Sequence, residues 1–183
     1  MRIIAGSAGG IPLRVPSGDV RPTSDRVREA LFSVLGGILS GARCLDLYAG
    51  SGALGIEALS RGAGSCMFVD RSRASCEAVR ANLAKAKLDG GEVRCSEVDR
   101  FLRAASGEYD LVFADPPYAK PGGDDLAGLL ALSDPLVKML APRATLLLES
   151  RKGAGEYPHH ERLEHIDLRE YGDTQLAFYR RVD

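Results

Sequence analysis

The sequence predicts an α/β domain with a mostly parallel sheet, because short apolar runs alternate with helical stretches from residue 43 onwards. Strands are expected near 43–48, 64–70, 91–96, 109–115 and 143–149, and helices near 53–61, 72–88, 98–105 and 124–140. The strand runs are apolar on consecutive residues, as in Leu111-Val112-Phe113-Ala114, which indicates strands covered on both sides. The predicted architecture is therefore a sheet with helices on both faces.

The N-terminal region is expected to differ from this core. Residues 1–20 predict an extension in which two short strands flank a glycine-rich turn, and residues 21–183 form the main domain. Thr23 or Ser24 is expected to cap a helix. Its apolar side chains recur at the period of an amphipathic helix, at Val27, Ala30, Leu31, Val34, Leu35 and Ile38.

The C-terminal region predicts an antiparallel pair of strands. Residues 163–170 and 174–181 have strand character, and the short turn Tyr171-Gly172-Asp173 joins them without a helix. We expect this hairpin at an edge of the sheet.

Composition narrows the class of protein. No stretch approaches the roughly 18 apolar residues of a membrane span, and the N-terminus lacks the apolar segment of a signal peptide. We therefore expect a cytoplasmic protein without a membrane partner. The cysteines are expected to be reduced, buried thiols, and neither they nor the histidines show the spacing of a metal site. These residues are Cys44, Cys66, Cys76, Cys95, His159, His160 and His165.

Charge is distributed unevenly along the chain. The net charge is −1, but residues 1–43 carry six arginines against three acidic residues. This asymmetry is a weak indication that the N-terminal end faces a nucleic acid, although a solvated helix face explains much of it equally well.

A glycine-rich loop follows the first expected strand and opens a helix. The segment from Asp46 to Gly55 reads Asp-Leu-Tyr-Ala-Gly-Ser-Gly-Ala-Leu-Gly and contains the GxGxxG pattern. Between a strand and a helix, this pattern is typical of a loop that binds a nucleotide-like ligand. Gly50 and Gly52 let the backbone turn sharply and let a ligand approach it closely, although a tight turn without a ligand is the alternative.

Two cofactors fit such a loop, a dinucleotide and S-adenosylmethionine. Asp70 ends the second strand, where an acid binds a ribose in either case. Asp46 distinguishes between them, because a carboxylate at the mouth of the first strand repels a pyrophosphate and attracts the sulfonium and ammonium groups of S-adenosylmethionine. The sequence therefore favours S-adenosylmethionine.

Further cofactor contacts are expected beyond the third strand, since ligands of open α/β sheets bind along the carboxyl ends of the strands. Glu97 is placed to accept a hydrogen bond from the adenine amino group, while the backbone N–H of Val98 donates to the ring. Alternatively, Ser96 caps the next helix and Glu97 lies in its first turn. Tyr48 and Arg71 complete the expected cofactor-binding set.

The tetrapeptide Asp115-Pro116-Pro117-Tyr118 ends the fourth expected strand and is the most specific motif in the chain. Its prolines stiffen the backbone and remove two N–H donors, so the Asp115 carboxylate and a neighbouring carbonyl form a pair of acceptors. A rigid loop with a purely structural role is the alternative.

An exocyclic amino group of a nucleic-acid base offers two donors to such a pair. This nitrogen is a poor nucleophile because its lone pair is delocalised into the ring. Two acceptors bend it towards tetrahedral geometry and stabilise the positive charge that grows during attack, so catalysis is positioning plus electrostatics. Tyr118 is expected to stack on the extruded base.

Taken together, these segments resemble the bacterial 16S ribosomal RNA guanine-N2 methyltransferases of the RsmD type, over nearly the whole chain. The glycine loop and Asp-Pro-Pro-Tyr alone indicate only amino-methyltransferases. The resemblance is narrowed by three further segments, Arg2-Ile3-Ile4-Ala5-Gly6, Arg21-Pro22-Thr23-Ser24-Asp25-Arg26-Val27-Arg28-Glu29-Ala30-Leu31-Phe32 and Leu59-Ser60-Arg61-Gly62-Ala63.

The resemblance implies a class I, Rossmann-like methyltransferase fold of seven mostly parallel strands with an N-terminal hairpin. It implies a monomer that methylates N2 of one guanine of 16S rRNA within an assembled or partly assembled small ribosomal subunit. By position, Asp46, Gly50 and Gly52 would hold the methionine moiety and Asp70 the ribose, while Asp115 and Pro116 would clamp the guanine. Glu97 departs from the Asp or Asn that is usual in the family.

Five arginines are hypothesised to contact RNA phosphates, namely Arg2, Arg14, Arg21, Arg26 and Arg28. Arg26 and Arg28 lie two positions apart on the expected helix and point apart, so we expect only one of them to face the substrate.

Other functions remain open at the level of sequence. An adenine-N6 DNA methyltransferase or a protein-amide methyltransferase uses the same tetrapeptide, although this short chain has no separate domain to read a DNA groove. A non-catalytic RNA-binding assembly factor on the same scaffold and an NAD-dependent enzyme are further alternatives, which the intact Asp115 and Asp46 disfavour.

Overall fold

The computed structural model describes residues 1–16, 24–117, 130, 133–153 and 159–183. Within them the helices are α1 Asp25–Leu35, α2 Ala53–Ser60, α3 Arg73–Ala86, α4 Val98–Ala104 and α5 Asp134–Met139, with a 3-10 helix at Gly36–Ile38. The strands are β1 Arg43–Leu47, β2 Ser65–Asp70, β3 Gly91–Cys95, β4 Tyr109–Ala114, β5 Leu140–Arg151, β6 Leu163–Tyr171 and β7 Thr174–Arg181. None of these described helices is long and apolar enough to cross a membrane.

The seven strands form one sheet in the order β3-β2-β1-β4-β5-β7-β6. Strands β1 to β5 are parallel, and β7 pairs antiparallel with both β5 and β6. The expected C-terminal hairpin at a sheet edge is confirmed. The chain runs outward from β1 in one direction and then in the other from β4, so the carboxyl ends of β1 and β4 flank the topological switch point, where ligands of such sheets bind.

Consecutive residues of the central strands alternate between two apolar cores. Cys44 and Phe113 belong to the core that contains side chains of α1, α2 and α3, which we call the α2 face. Leu45 and Val112 belong to the opposite core, with side chains of α4 and α5. Burial on both faces explains why the strand runs are apolar throughout.

The elements lie close to their expected positions, and β5 differs most. It begins at Leu140 rather than near 143, because Leu140 already pairs with Tyr109 ahead of an irregularity in the β4–β5 register. The single helix expected over 124–140 was wrong, because Ser133 is the extended N-cap of α5, which runs only from Asp134 to Met139. Residues 124–129, 131 and 132 lie outside the described residues. Ser24 caps α1 by accepting a hydrogen bond from the Val27 N–H, whereas Thr23 lies outside the described residues.

The four cysteines are free thiols. Cys44, Cys66 and Cys76 are buried as expected, but Cys95 is exposed. Cys95 ends β3, which lies at the edge of the sheet and is largely uncovered, so the expectation of burial was wrong there.

The N-terminal extension pairs with itself as the expected hairpin, although over a shorter stretch than two full strands. Arg2 and Pro12 form an antiparallel bridge, and three backbone hydrogen bonds join residues 1–3 to residues 10–13. Other backbone groups of the extension bind α2. The N–H groups of Ile4 and Ala5 donate to the Glu57 carboxylate at 2.7 and 3.0 Å. Apolar side chains of the extension, Ile3, Ala8 and Leu13, are buried in the core on the α2 face.

Gly6 lies where the extension approaches α2 most closely, with a φ of +85°. A Cβ at this position would lie 1.9 Å from the carbonyl oxygen of Ser60. Gly10 has a similar φ of +87°, but a Cβ there would meet nothing within 4 Å. Gly10 is therefore a matched control for the strain of a left-handed backbone.

We expect Gly6→Ala to lower the free energy of unfolding by about 1 to 3 kcal/mol more than Gly10→Ala, because only Gly6→Ala adds a steric clash to the backbone strain. Chemical denaturation of the two variants measures the difference. Equal losses in both variants would contradict the tight docking of the extension on α2.

Candidate active site

Three carboxylates converge at the carboxyl end of the central strands. Asp46 lies near the end of β1, Asp115 directly follows β4, and Glu149 lies near the end of β5. The strands are in register at this level, since Ala114 pairs with Leu47 on one side and with Leu148 on the other. Asp46 and Asp115, expected to work together, thus lie in the same part of the molecule.

The Asp46 carboxyl is buried on the α2 face and accepts a hydrogen bond of 2.9 Å from the N–H of Gly55. Burial raises its pKa to about 7, and the negative charge of Asp70 acts in the same direction, while the Gly55 hydrogen bond opposes them. A positive ligand beside Asp46 would favour the ionised carboxylate.

Asp115 is partly buried, and its pKa is raised well above the ordinary value. Burial is the main cause, followed by the charges of Glu149 and Asp46. Pro116 is buried and Pro117 is exposed. Tyr118, expected to stack on a base, lies outside the described residues.

The glycine loop adopts left-handed backbone at three positions, Tyr48, Gly50 and Gly52, with φ of 59°, 56° and 77°. The N–H of Gly50 donates to the Asp70 carboxylate at 2.9 Å, which ties the loop to the end of β2. The third glycine of the pattern, Gly55, has a packing role. A Cβ there would lie 2.4 Å from the ring of Phe68, so glycine lets α2 lie directly on the sheet.

The hydrogen bonds of Gly50 and Gly55 determine whether the loop suits an anionic or a cationic ligand. In phosphate-binding loops the backbone N–H groups point at the phosphate. Here those of Gly50 and Gly55 donate to the carboxylates of Asp70 and Asp46. The loop therefore presents negative charge, which suits a cationic ligand and repels a pyrophosphate.

Arg71, Glu97 and Val98 surround the carboxyl ends of β2 and β3, beyond Asp70. The Arg71 and Glu97 side chains are exposed and form an ion pair of 3.8 Å across these two strand ends. Val98 is buried. Tyr48 is half-buried, and its pKa is raised by burial and then by the charges of Glu97 and Asp99. The expected cofactor-binding side chains thus follow one continuous edge from Asp46 to Glu97.

The alternative role for Ser96 as a helix cap is wrong. Glu97 occupies the cap position of α4, without a side-chain capping bond, and the Ser96 hydroxyl donates to the Glu97 carbonyl at 3.1 Å. The exposed Glu97 carboxylate pairs with Arg71 and makes no hydrogen bond to the backbone of α4.

The expected RNA-contacting arginines separate into two groups. Arg2, Arg14 and Arg26 are exposed, and Arg21 lies outside the described residues. Arg28 is fully buried, and its guanidinium donates to the Arg2 carbonyl oxygen and to Asp25, both at 2.6 Å. The RNA contact expected of Arg28 was therefore wrong, because its helix face points into the core. Arg26 and Arg28 point apart, as expected, and of the two only Arg26 is exposed and available to a substrate.

Sequence reasoning missed Glu149, Glu57 and Asn82. Glu149 is buried and follows an apolar run of its strand, as Asp46 and Asp115 follow theirs. This pattern in the sequence could have identified it as a third site carboxylate. Glu57 and Asn82 are buried polar side chains whose partners are backbone groups of the N-terminal extension. Those partners lie more than 50 positions away in sequence, beyond the reach of local periodicity.

Comparison with known proteins places this geometry in a family. Residues 1–180 match the family described as "Conserved hypothetical protein 95". The chain belongs to this family. It is 42% identical over 139 residues to "Putative rRNA methyltransferase YlbH" of Bacillus subtilis. The aligned region covers 73% of this chain and 74% of that relative. It is 43% identical over 121 residues to "Ribosomal RNA small subunit methyltransferase D" of Escherichia coli, which covers 66% of this chain and 61% of that relative.

A solved structure extends the similarity to the whole fold. The "Putative methyltransferase yhhF from Escherichia coli" aligns with 100% of this chain and 98% of its own, with a TM-score of 0.82 and 32% identity. The expected class I methyltransferase fold is confirmed. So is the resemblance to the small-subunit rRNA methyltransferases.

The raised pKa of Asp46 predicts a distinctive pH dependence of stability. Its carboxyl binds a proton more tightly in the folded chain, with a pKa of about 7 against an ordinary value of 3.8. This contribution to stability is therefore present at low pH and is lost as the pH rises towards about 7. Asp46→Asn removes the titration and keeps an oxygen for the Gly55 N–H.

We expect the unfolding free energy of the unmodified protein, relative to Asp46→Asn, to fall by up to about 1.4 kcal/mol per pH unit between about pH 4 and pH 7. Above that interval the difference should be constant. Denaturant unfolding at a series of pH values, without added ligand, gives the curve. A difference that does not change with pH would contradict the burial of Asp46.

Proposed function

We propose that the protein transfers the methyl group of S-adenosylmethionine to the N2 amino group of one guanine in 16S ribosomal RNA. One observation carries the proposal: the Asp115-Pro116 acceptor pair lies beside Asp46 and the glycine loop. A base amino group bound to Asp115 and Pro116 would therefore lie next to a cationic cofactor bound to Asp46 and the glycine loop. The name of the Escherichia coli relative, a small-subunit rRNA methyltransferase, supports rRNA as the substrate.

The described residues fit S-adenosylmethionine as the cofactor. Asp46 would face its positively charged methionine end, and Asp70, Glu97 and the Val98 N–H would hold the adenosine. When bound, S-adenosylmethionine supplies a methyl group on a sulfonium and leaves as neutral S-adenosylhomocysteine. The carboxylates that hold the loop amides disfavour NAD by the same charge argument.

The acceptor pair would orient and activate the base. The Asp115 carboxylate and the Pro116 carbonyl oxygen accept the two hydrogens of guanine N2, which frees the nitrogen lone pair for attack. As the new N–C bond forms, the nitrogen becomes positive and one of its protons must leave. Asp115 is positioned to accept it, and its raised pKa makes the carboxylate a stronger base than an exposed aspartate.

The substrate side of the proposal rests on the N-terminal arginines. Arg2, Arg14 and Arg26 are exposed on the extension and α1, where they can bind RNA phosphates. Further parts of the proposal are that the protein acts as a monomer in the cytoplasm, and that its substrate is an assembled or partly assembled small subunit. Methyl transfer to purified subunits but not to free 16S rRNA would support the latter.

Asp115→Ala is expected to lower methyl transfer to unmodified small subunits by at least about 100-fold, because it removes the charged acceptor of the amino group. Binding of S-adenosylmethionine should remain within a few-fold of normal, since the loop contacts persist. Asp110→Ala is the matched control. Asp110 lies near the start of the same strand, at the amino ends of the parallel strands, and pairs with Arg43.

Radioactive methyl incorporation and calorimetry measure the two properties. Normal transfer by Asp115→Ala, or equal losses in both variants, would overturn the role of Asp115. Transfer to DNA or to a protein amide instead of rRNA would support the alternative methyltransferases, and cofactor binding without any transfer would support a non-catalytic assembly factor.

Arg26→Ala is expected to weaken small-subunit binding and to reduce by about 1 the slope of log affinity against log salt, since one phosphate contact is lost. Arg169→Ala is the control and should leave the slope unchanged, since Arg169 is a half-buried arginine of β6 that pairs with Asp167. Filter binding over a salt series measures both. An unchanged slope for Arg26→Ala and for the exposed Arg2 and Arg14 variants would remove the N-terminal RNA contact.

A further inference from the structure

Asn82 joins two parts of the molecule that lie far apart in sequence. It lies on α3, it is 1% exposed, and its side chain forms three hydrogen bonds with backbone groups. The side-chain oxygen accepts the N–H of Arg14 at 2.7 Å. The side-chain nitrogen donates to the carbonyls of Arg14 and Ser51, both at 2.9 Å. One amide therefore holds the extension and the glycine loop together.

The extension has a second contact with the loop and several with neighbouring helices. The Ser51 hydroxyl lies 3.4 Å from the Met1 sulfur. Glu57 and Ser60 of α2 bind backbone groups of residues 4–8. Lys85 of α3 donates to the Pro12 carbonyl at 2.8 Å, so this hydrogen bond reaches the extension and not the glycine loop. Among these helix side chains, Asn82 is the one that forms hydrogen bonds with both the extension and the glycine loop.

This arrangement links two equilibria. A ligand that binds the glycine loop stabilises the loop conformation that presents the Ser51 carbonyl to Asn82. The same Asn82 conformation satisfies both backbone groups of Arg14, so an ordered loop favours a docked extension. By thermodynamic linkage, a docked extension favours the ligand-binding loop to the same degree.

We propose that Asn82 is a positioning residue that couples cofactor binding at the glycine loop to the docking of the N-terminal extension. The inference rests on the proposed function only in taking S-adenosylmethionine to bind at this loop. Since the extension carries Arg2 and Arg14, RNA held by them and the cofactor would each strengthen the binding of the other.

The residue type is specific for this role. An amide supplies one acceptor for the Arg14 N–H and two donors for the two carbonyls. Alanine removes all three bonds. Aspartate keeps the acceptor but offers no donor, so it breaks the link to Ser51 and retains one bond to the extension. Asn82→Asp thus separates coupling from simple anchoring.

The test is hydrogen–deuterium exchange of the peptide spanning residues 1–16, with and without saturating S-adenosylhomocysteine. Its protected amides include those of Ile3, Gly10, Leu13 and Arg14. In the unmodified protein we expect the ligand to slow exchange of this peptide by about tenfold or more. In Asn82→Ala and Asn82→Asp the ligand-dependent change should fall below about twofold.

Lys85→Ala is the matched control, because it loosens the same extension from the same helix without touching the loop. We expect faster exchange in this variant at baseline, with the ligand effect retained. A merely structural role for Asn82 would move the baseline and leave the ratio with and without ligand unchanged. Calorimetry of S-adenosylhomocysteine binding to each variant gives the ligand concentration that saturates it. Binding also shows that the variant is folded.

The outcomes separate the inference from the proposed function. If the unmodified protein does not bind S-adenosylhomocysteine, the proposed function and the coupling both fail. If it binds but residues 1–16 exchange at the same rate with and without ligand, the coupling alone is overturned. A full ligand effect in both Asn82 variants, or its loss in Lys85→Ala as well, would also overturn the assignment to Asn82.

Discussion

The candidate site depends on two carboxylates, one buried and one partly buried, that hold the backbone of the glycine loop. Asp46 and Asp70 accept the N–H groups of Gly55 and Gly50, so two amides that would serve a phosphate elsewhere are turned towards acids. This arrangement fixes the loop conformation and at the same time sets the charge of the ligand that the pocket accepts. Asp115 and Glu149, at the ends of the next two strands, add carboxylates at the same edge, which favours a cationic cofactor. Burial, and then the charges of Glu149 and Asp46, raise the pKa of Asp115 and so its basicity.

The N-terminal extension is the second determinant of the site. Besides its own backbone pairing, it makes bonds to α2 and α3, the two helices that pack behind the glycine loop. The Glu57 carboxylate accepts hydrogen bonds from two backbone N–H groups of the extension and also forms an ion pair of 2.7 Å with Arg61. The segment that bears the proposed RNA-binding arginines is therefore built into the cofactor half of the domain, which provides a physical route between the two substrates.

Much of this architecture follows from local sequence signals. Alternating apolar runs and helical periods predict the parallel strands, the edge hairpin and the glycine loop, because each depends on residues that are close in sequence. Asp46 and Asp115 are predictable for the same reason, since each ends a buried strand. The small errors at β5 arise from pairing with β4 rather than from local propensity.

What the sequence did not predict depends on long-range packing. Arg28 matches the pattern of a surface arginine, yet the docking of the extension buries it against Asp25 and the Arg2 carbonyl. The N-terminal hairpin is shorter than predicted, and the amides of Ile4 and Ala5, next to its paired residues, donate to Glu57 of α2. Asn82 gives no sequence signal at all, since its partners are backbone atoms of Arg14 and Ser51.

The most direct test of the central claim is to map the methyl group on its product. Small ribosomal subunits from cells that lack this protein are incubated with the purified protein and S-adenosylmethionine, and the 16S rRNA is digested and analysed by mass spectrometry. The account predicts one added methyl group, on the N2 atom of a single guanine. A methyl group on another base atom, on a ribosomal protein or on no component of the subunit would contradict it.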